Sequence, residues 1–232
     1  MCSSDLRARG IGDRRTGAGD GRARVPADRG GALTAFSDAI QRHLRGELER
    51  PDPWNLETSA FENARSAELT RALGGGRFVG AVEVGCAAGR FTAELAERCD
   101  RLRVIDVMPE ALARTQARLG PRAGVLYTLA DISTCPPLEG PCDLIVVTEV
   151  LYYLTDWPSA SRVVAYLAAA LGEGGRLIFG SATDAACRRW GLRFGAETLM
   201  AEWSRHLREV ERRECRGRRP DEHTFVVVYS RM

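Results

Sequence analysis

Lysine is missing: all 33 basic residues of this 232-residue chain are arginine, set against 31 aspartates and glutamates. Without a lysine amine there is no Schiff base, no P-loop lysine and no lysine general base. Aldolases, pyridoxal-phosphate enzymes and Walker-type NTPases are thereby excluded. Long hydrophobic runs are also missing, since no apolar stretch approaches the roughly 18 residues of a membrane span, and no membrane partner is expected. Histidine is scarce, with three residues, none at metal-ligand spacing. The seven cysteines, Cys2, Cys86, Cys99, Cys135, Cys142, Cys187 and Cys215, are odd in number and contain no C-x-x-C pair. Neither a disulfide framework nor a metal site is expected. Met1-Cys2-Ser3-Ser4 leads into Arg and Gly with no apolar segment, so no secretory signal is read and a reducing, cytoplasmic location is the expectation.

What remains is one ordinary domain with 44% hydrophobic residues and a net charge of +2. Residues 1 to 31 carry seven Arg and seven Gly. With almost no large apolar side chains they read as a disordered tail. Interspersed Asp5, Asp13, Asp20 and Asp28 dilute its charge, so no nucleic-acid partner is expected. Residues 32 to 76 read as an N-terminal helical cap. Leu33, Phe36, Ile40, Leu44 and Leu48 recur at helical steps, and a second helix from Ser59 to Leu73 ends at Gly74-Gly75-Gly76.

From residue 77 onward strands and helices alternate. Strands are expected at Phe78 to Val84, Leu102 to Asp106, Val125 to Leu129, Asp143 to Thr148 and Arg176 to Gly180. Helices are expected at Arg90 to Cys99, Pro109 to Leu119 and Trp157 to Leu171. The strands are nearly unbroken apolar runs, as when both faces of a parallel sheet are covered. A helix over Ala196 to Leu207 and two strands, Arg208 to Cys215 and His223 to Ser230, follow. The expected fold is α/β: a Rossmann-like doubly wound sheet of five parallel strands with a C-terminal antiparallel hairpin and helices on both faces. That arrangement resembles the class I S-adenosylmethionine-dependent methyltransferases, although fold alone licenses no function.

The strongest local signal is Glu83-Val84-Gly85-Cys86-Ala87-Ala88-Gly89, where a strand ends in small residues and a helix begins. Small residues let a ligand approach the backbone, and exposed amides at a helix start favour a negative group such as a carboxylate. Ala87 stands where a dinucleotide-binding turn has its middle glycine, which favours a cofactor without phosphates. That spacing, with the lack of any Tyr-x-x-x-Lys pair, also argues against an NAD-dependent oxidoreductase. Asp106, followed by Val107, ends the next strand, where a carboxylate can take both ribose hydroxyls. Asp131 follows the third strand and either accepts from an adenine amino group, with Ile132 packed on the ring, or caps a turn. Beyond the fourth strand come Glu149, Tyr152 and Tyr153. They either place an acceptor near the reactive methyl or cap a helix and pack. Arg188-Arg189-Trp190 offers a polar, stacking-capable surface or a solvated basic pair.

Several strings bring the chain closer to one group. They are Asp52-Pro53-Trp54, Phe61-Glu62, EVGCAAG at 83 to 89, FTAEL at 91 to 95, VIDVMP at 104 to 109, DLIVVTEVLYYL at 143 to 154, CRRWG at 187 to 191 and GAET at 195 to 198. In these the chain is similar to the nodulation protein S family of N-methyltransferases from about residue 52 to its end. The resemblance implies transfer of a methyl group from S-adenosylmethionine to the free amine of a de-N-acetylated chitooligosaccharide. It implies that Glu83, Gly85, Cys86, Ala87 and Gly89 surround the methionine moiety, that Asp106 and Val107 hold the ribose and that Asp131 and Ile132 hold the adenine. Trp54 and Arg65 would belong to a cap over the cofactor, with Arg65 pairing with its carboxylate. Glu149 would border cofactor and acceptor and, with Tyr152, act on the amine. A small-molecule N- or O-methyltransferase with another acceptor, and a non-catalytic S-adenosylmethionine-binding module, are the competing readings. No N-P-P-Y-like string follows the fourth strand, which argues against nucleobase or glutamine amide acceptors.

Overall fold

A computed structural model describes residues 38–232, so the tail read over residues 1 to 31 and the start of the first expected helix lie outside the described residues. Helix α1 spans Asp38–Leu48 and α2 spans Ala60–Leu73, the latter capped by Ser59, whose hydroxyl accepts from Glu62 N–H at 3.3 Å. The alternating core follows in order: β1 Phe78–Val84, α3 Arg90–Arg98, β2 Cys99–Asp106, α4 Pro109–Leu119, β3 Val125–Leu129, β4 Cys142–Thr148, α5 Trp157–Ala170 and β5 Leu171–Ala182. Then come α6 Asp184–Arg189, α7 Ala196–Trp203, β6 Leu207–Arg216 and β7 His223–Arg231.

The seven strands form one sheet in the order β3-β2-β1-β4-β5-β7-β6. The first five are parallel; β7 runs antiparallel to β5, and β6 antiparallel to β7. The chain moves outward from β1 through β2 to β3, then returns to the centre and moves the other way through β4 and β5. Right-handed crossovers in opposite directions place α3 and α4 on one face and α5 on the other. The sheet reverses between β1 and β4, and a crevice opens there beyond the strand ends.

Two expectations need correction. Strand β5 starts at Leu171 rather than Arg176, because Leu171 pairs with Cys142 ahead of a register shift. Helix α6 was not foreseen: its six residues are too few to show a period, and only Thr183, whose hydroxyl caps Ala186 N–H at 3.2 Å, announces it. Elsewhere boundaries move by a few residues at most. Ile40, Leu44 and Leu48 of α1 and Leu69, Ala72 and Leu73 of α2 share one buried cluster with the sheet residues, so the two N-terminal helices are packed into the common core.

Candidate active site

The crevice is lined at its floor by the ends of four strands: Glu83 to Ala87 after β1, Ile105 to Met108 after β2, Ala130 and Ile132 after β3, and Thr148 to Val150 after β4. Leu44, Leu48, Trp54, Glu62 and Arg65 close it from the N-terminal side, and Tyr152 and Tyr153 close the far end.

At the first strand end the backbone turns sharply, with Gly85 at φ +81°, Ala87 at +49° and Gly89 at +75°. The two glycines serve the fold's own packing as much as any ligand. A Cβ at Gly85 would stand 2.2 Å from Val150 Cγ2, and one at Gly89 would stand 2.8 Å from the Thr115 Cα of α4. Gly85 lines the crevice, whereas Gly89 is buried against α4 and does not line it. Ala87 adopts the left-handed conformation without being glycine, which costs an L-residue about 1–2 kcal/mol.

Asp106 fixes this turn. Its Oδ2 accepts from Cys86 N–H at 2.9 Å and its Oδ1 from Met108 N–H at 2.8 Å. Burial raises its carboxyl above the usual range, against the pull of those two amides. The Cys86 thiol, 3.5 Å from the same oxygen, is pushed well above the ordinary thiol range by burial and by Asp106 and Glu83, which makes it a poor nucleophile. Glu83 is 3% exposed, and its Oε2 has no hydrogen-bond partner among the described residues. Burial, opposed by the Thr92 hydroxyl and helped by repulsion from Asp106, pushes its carboxyl up to about 8. Asp131 flanks the lining residues without joining them. Its Oδ1 accepts from Ser133 N–H at 2.8 Å and so caps a short 3-10 turn. Ile132 and Val107 both line the crevice.

These groups fit S-adenosylmethionine. A buried, unpaired carboxyl oxygen on Glu83 calls for a donor such as an ammonium or hydroxyl. Asp106 offers oxygens already held by backbone amides, and Val107, Ala130 and Ile132 supply an apolar slot for an aromatic ring.

Trp54 sits on a strap between α1 and α2, with φ +52° followed by Asn55 at +56°. Arginines tie the strap down: Arg114 donates to Arg50 O at 2.8 Å, Arg118 to Glu57 Oε1 at 2.6 Å, and Arg90 to Leu56 O. Arg65, expected to meet a cofactor carboxylate, is engaged by the protein's own. It donates to Glu62 Oε2 through Nε at 2.9 Å and Nη2 at 2.5 Å, and its Nη1 stands 3.7 Å from Glu149 Oε1. Glu62 and Glu149 hold the buried guanidinium firmly protonated against the cost of desolvation.

At the far end Glu149 leaves β4 at φ +56°, a strained position for a side chain of its size. It caps no helix. Its Oε2 accepts from the Tyr152 hydroxyl at 2.8 Å, and its Oε1 from the Thr224 hydroxyl of β7 at 2.9 Å. Tyr152 meets Tyr153 edge-on at 4.7 Å and Trp190 at 6.1 Å, and the Trp190 indole N–H donates to Asp221 Oδ2 at 3.2 Å. Thr224 and Glu62 were not singled out as site residues from the sequence. Glu62 lies one turn before Arg65 on α2, a spacing that could have flagged the pair. Thr224 carries no local signal, because only the sheet brings β7 to Glu149.

A doubly wound sheet closed by an antiparallel hairpin, with this crevice at its switch point, defines a class I S-adenosylmethionine-dependent methyltransferase. Within that class the particular relationship is clear. The family model of nodulation protein S (NodS) matches residues 37–232. Nodulation protein S of Sinorhizobium fredii is 46% identical over 189 residues, covering 81% of this chain and 87% of that protein. The Rhizobium tropici protein is 45% identical over 198 residues, covering 83% of each. The crystal structure of the N-methyltransferase NodS from Bradyrhizobium japonicum in complex with S-adenosyl-L-homocysteine superimposes with a TM-score of 0.79 at 41% identity, over 82% of this chain and 97% of that one. The chain belongs to the nodulation protein S family. Among the described residues no helix is long and apolar enough to cross a membrane.

Proposed function

We propose that this methyltransferase transfers the methyl group of S-adenosylmethionine to the free amine of a de-N-acetylated chitooligosaccharide or a related amino sugar. The observation that carries the reading is the Glu149–Tyr152 pair at the end of the crevice opposite the Asp106 turn, since it places a carboxylate and a phenol where an amine acceptor would arrive. Membership of a family with an N-methyltransferase among its solved members supports nitrogen as the atom methylated.

In this reading Asp106 holds the ribose, Val107, Ala130 and Ile132 enclose the adenine, and Glu83 and the turn from Gly85 to Ala87 hold the methionine end. Residues 38–76 act as a cap, with Trp54 over the cofactor and Arg65 turned toward Glu62 and Glu149. When bound, the cosubstrate supplies an activated methyl on a sulfonium, and the protein's work is to present a neutral amine in line and to exclude water. Glu149 accepts a hydrogen bond from the amine and orients its lone pair. The proton released on methylation leaves through the Glu149–Tyr152 pair toward solvent.

The test is calorimetric titration with S-adenosylmethionine and S-adenosylhomocysteine, followed by mass spectrometry after addition of glucosamine oligomers carrying one free terminal amine. Binding with gain of a methyl mass on the oligomer is expected. Binding without transfer overturns the amino-sugar acceptor, and absence of binding overturns the assignment of Glu83, Gly85 and Asp106.

A further inference from the structure

The carboxylate of Glu149 is gripped by parts of the chain that neither the strand-end turns nor the acceptor wall contain. Thr224 opens β7, is 1% exposed, and is paired in the sheet with Ala182 of β5 and Cys215 of β6. Its Cβ is therefore fixed on both sides by strand neighbours, and its hydroxyl donates to Glu149 Oε1 at 2.9 Å. Arg65 approaches the same oxygen at 3.7 Å from α2, with its own fork fastened to Glu62. We propose that Thr224 and Arg65 are positioning residues for methyl transfer: from the C-terminal hairpin and the N-terminal helix they lock the Glu149 carboxylate in the orientation that receives the acceptor amine. The inference rests on the reading of Glu149 as the group that orients the amine.

The physical case is one of directions. A glutamate has three side-chain torsions, and its terminal carboxylate turns with little resistance unless both oxygens are held. Here Oε2 is held by Tyr152 and Oε1 by Thr224, so the carboxylate plane is set by two hydroxyls on opposite sides. With the Thr224 hydroxyl removed, Oε1 keeps only the longer contact to Arg65, and the carboxylate swings toward the guanidinium and away from Tyr152. The hairpin then acts on the reaction from outside the crevice lining, and the N-terminal helix from its wall. This gives the β6–β7 hairpin a task besides closing the sheet.

Thr224→Val, which keeps the shape and removes the donor, is compared with Thr224→Ser, which keeps the donor. With S-adenosylmethionine and a glucosamine oligomer bearing one free amine, Val is expected to lower kcat about tenfold, less than the roughly 10²-fold that a misplacement of a full 1 Å can cost. KM for the oligomer and calorimetric affinity for S-adenosylhomocysteine stay within about twofold, and Ser restores kcat. A crystal structure of the Val variant is expected to show the carboxylate rotated away from Tyr152. Wild-type kcat in the Val variant overturns the proposal, as does a Ser variant impaired to the same degree. If the wild-type enzyme leaves the oligomer unmethylated, the acceptor reading falls and the crystal structure alone decides, with an unmoved carboxylate overturning the proposal. Should the Val variant fail to fold, Thr224→Ala puts the same question with a smaller side chain.

Discussion

Of the three glutamates that line the crevice, the protein treats Glu83 and Glu149 in opposite ways. Glu83, at the Asp106 end, is buried with an oxygen that has no partner among the described residues, and its carboxyl is pushed up to about 8. Glu149, at the tyrosine end, has a hydroxyl on each oxygen and a guanidinium nearby. One end carries an unmet demand for a donor, which a ligand can satisfy. The other is already complete within the protein, so its geometry is set before any acceptor arrives. The proposed function therefore divides binding and orientation between the ends, and the two can be broken separately.

The largest effect expected concerns stability without ligand. Glu83 ionises near pH 4.3 in the unfolded chain, but in the folded protein it stays protonated up to about pH 8. Between these values the folded state holds the extra proton, so stability falls as pH rises and levels off above about 8. The loss is on the order of a few kcal/mol. Urea unfolding of the ligand-free protein across this range should show that decline, and Glu83→Gln should flatten it. A Gln variant with the wild-type slope would place the effect elsewhere.

Next in size is the anchor of the turn. Asp106→Ala leaves the amides of Cys86 and Met108 without their acceptor and removes the carboxylate from the crevice. Each charged hydrogen bond is worth about 1.5–3 kcal/mol, so S-adenosylhomocysteine affinity should fall about 100-fold or more by calorimetry. The other end should behave differently. Glu149→Gln should lower turnover about 100-fold, the low end of the roughly 10²- to 10⁴-fold that a proton-handling group contributes, and change S-adenosylhomocysteine affinity only a few-fold. Equal losses of binding in both variants would erase the division between the ends.

The same division governs what could be read from the sequence. Strand β1, helix α4 and strand β3 stand where apolar runs and the Pro and Gly signals put them, because those signals lie within each segment. The Gly85 to Gly89 turn and Asp106 were legible for the same reason: a strand end, a turn and a helix start lie within a few residues. The tyrosine end was only half legible. Glu149 and Tyr152 are three residues apart, so their pairing lies within reach of local reasoning, whereas Thr224 is 75 positions from Glu149 and meets it only through sheet order. Arg65 was visible as a site residue and its pairing with Glu62 is local to α2, but its approach to Glu149 was not visible, because it depends on how α2 lies against the sheet. At Asp131 the turn cap was legible, since it is written in the spacing to Ser133.

The smallest expected effect separates the ends once more. Each has one non-glycine residue in the left-handed region, Ala87 at φ +49° and Glu149 at +56°. In the proposed reading the Glu149 side chain orients the amine, so relieving the strain with glycine would remove that role with it. At Ala87 only a methyl is lost. Ala87→Gly relieves about 1–2 kcal/mol of backbone strain, while the greater freedom of glycine in the unfolded chain returns about 0.5–1 kcal/mol. The net is a gain of about 0.5 kcal/mol, or about 1–2 °C in Tm for a chain of this size. Affinity for S-adenosylhomocysteine should stay within about threefold, below the loss of about 1–3 kcal/mol that a well-packed methylene can carry in a binding pocket. A tenfold loss of affinity would mean that the methyl itself shapes the ligand's seat, and that strain at the Asp106 end, like strain at Glu149, is kept for what the side chain does.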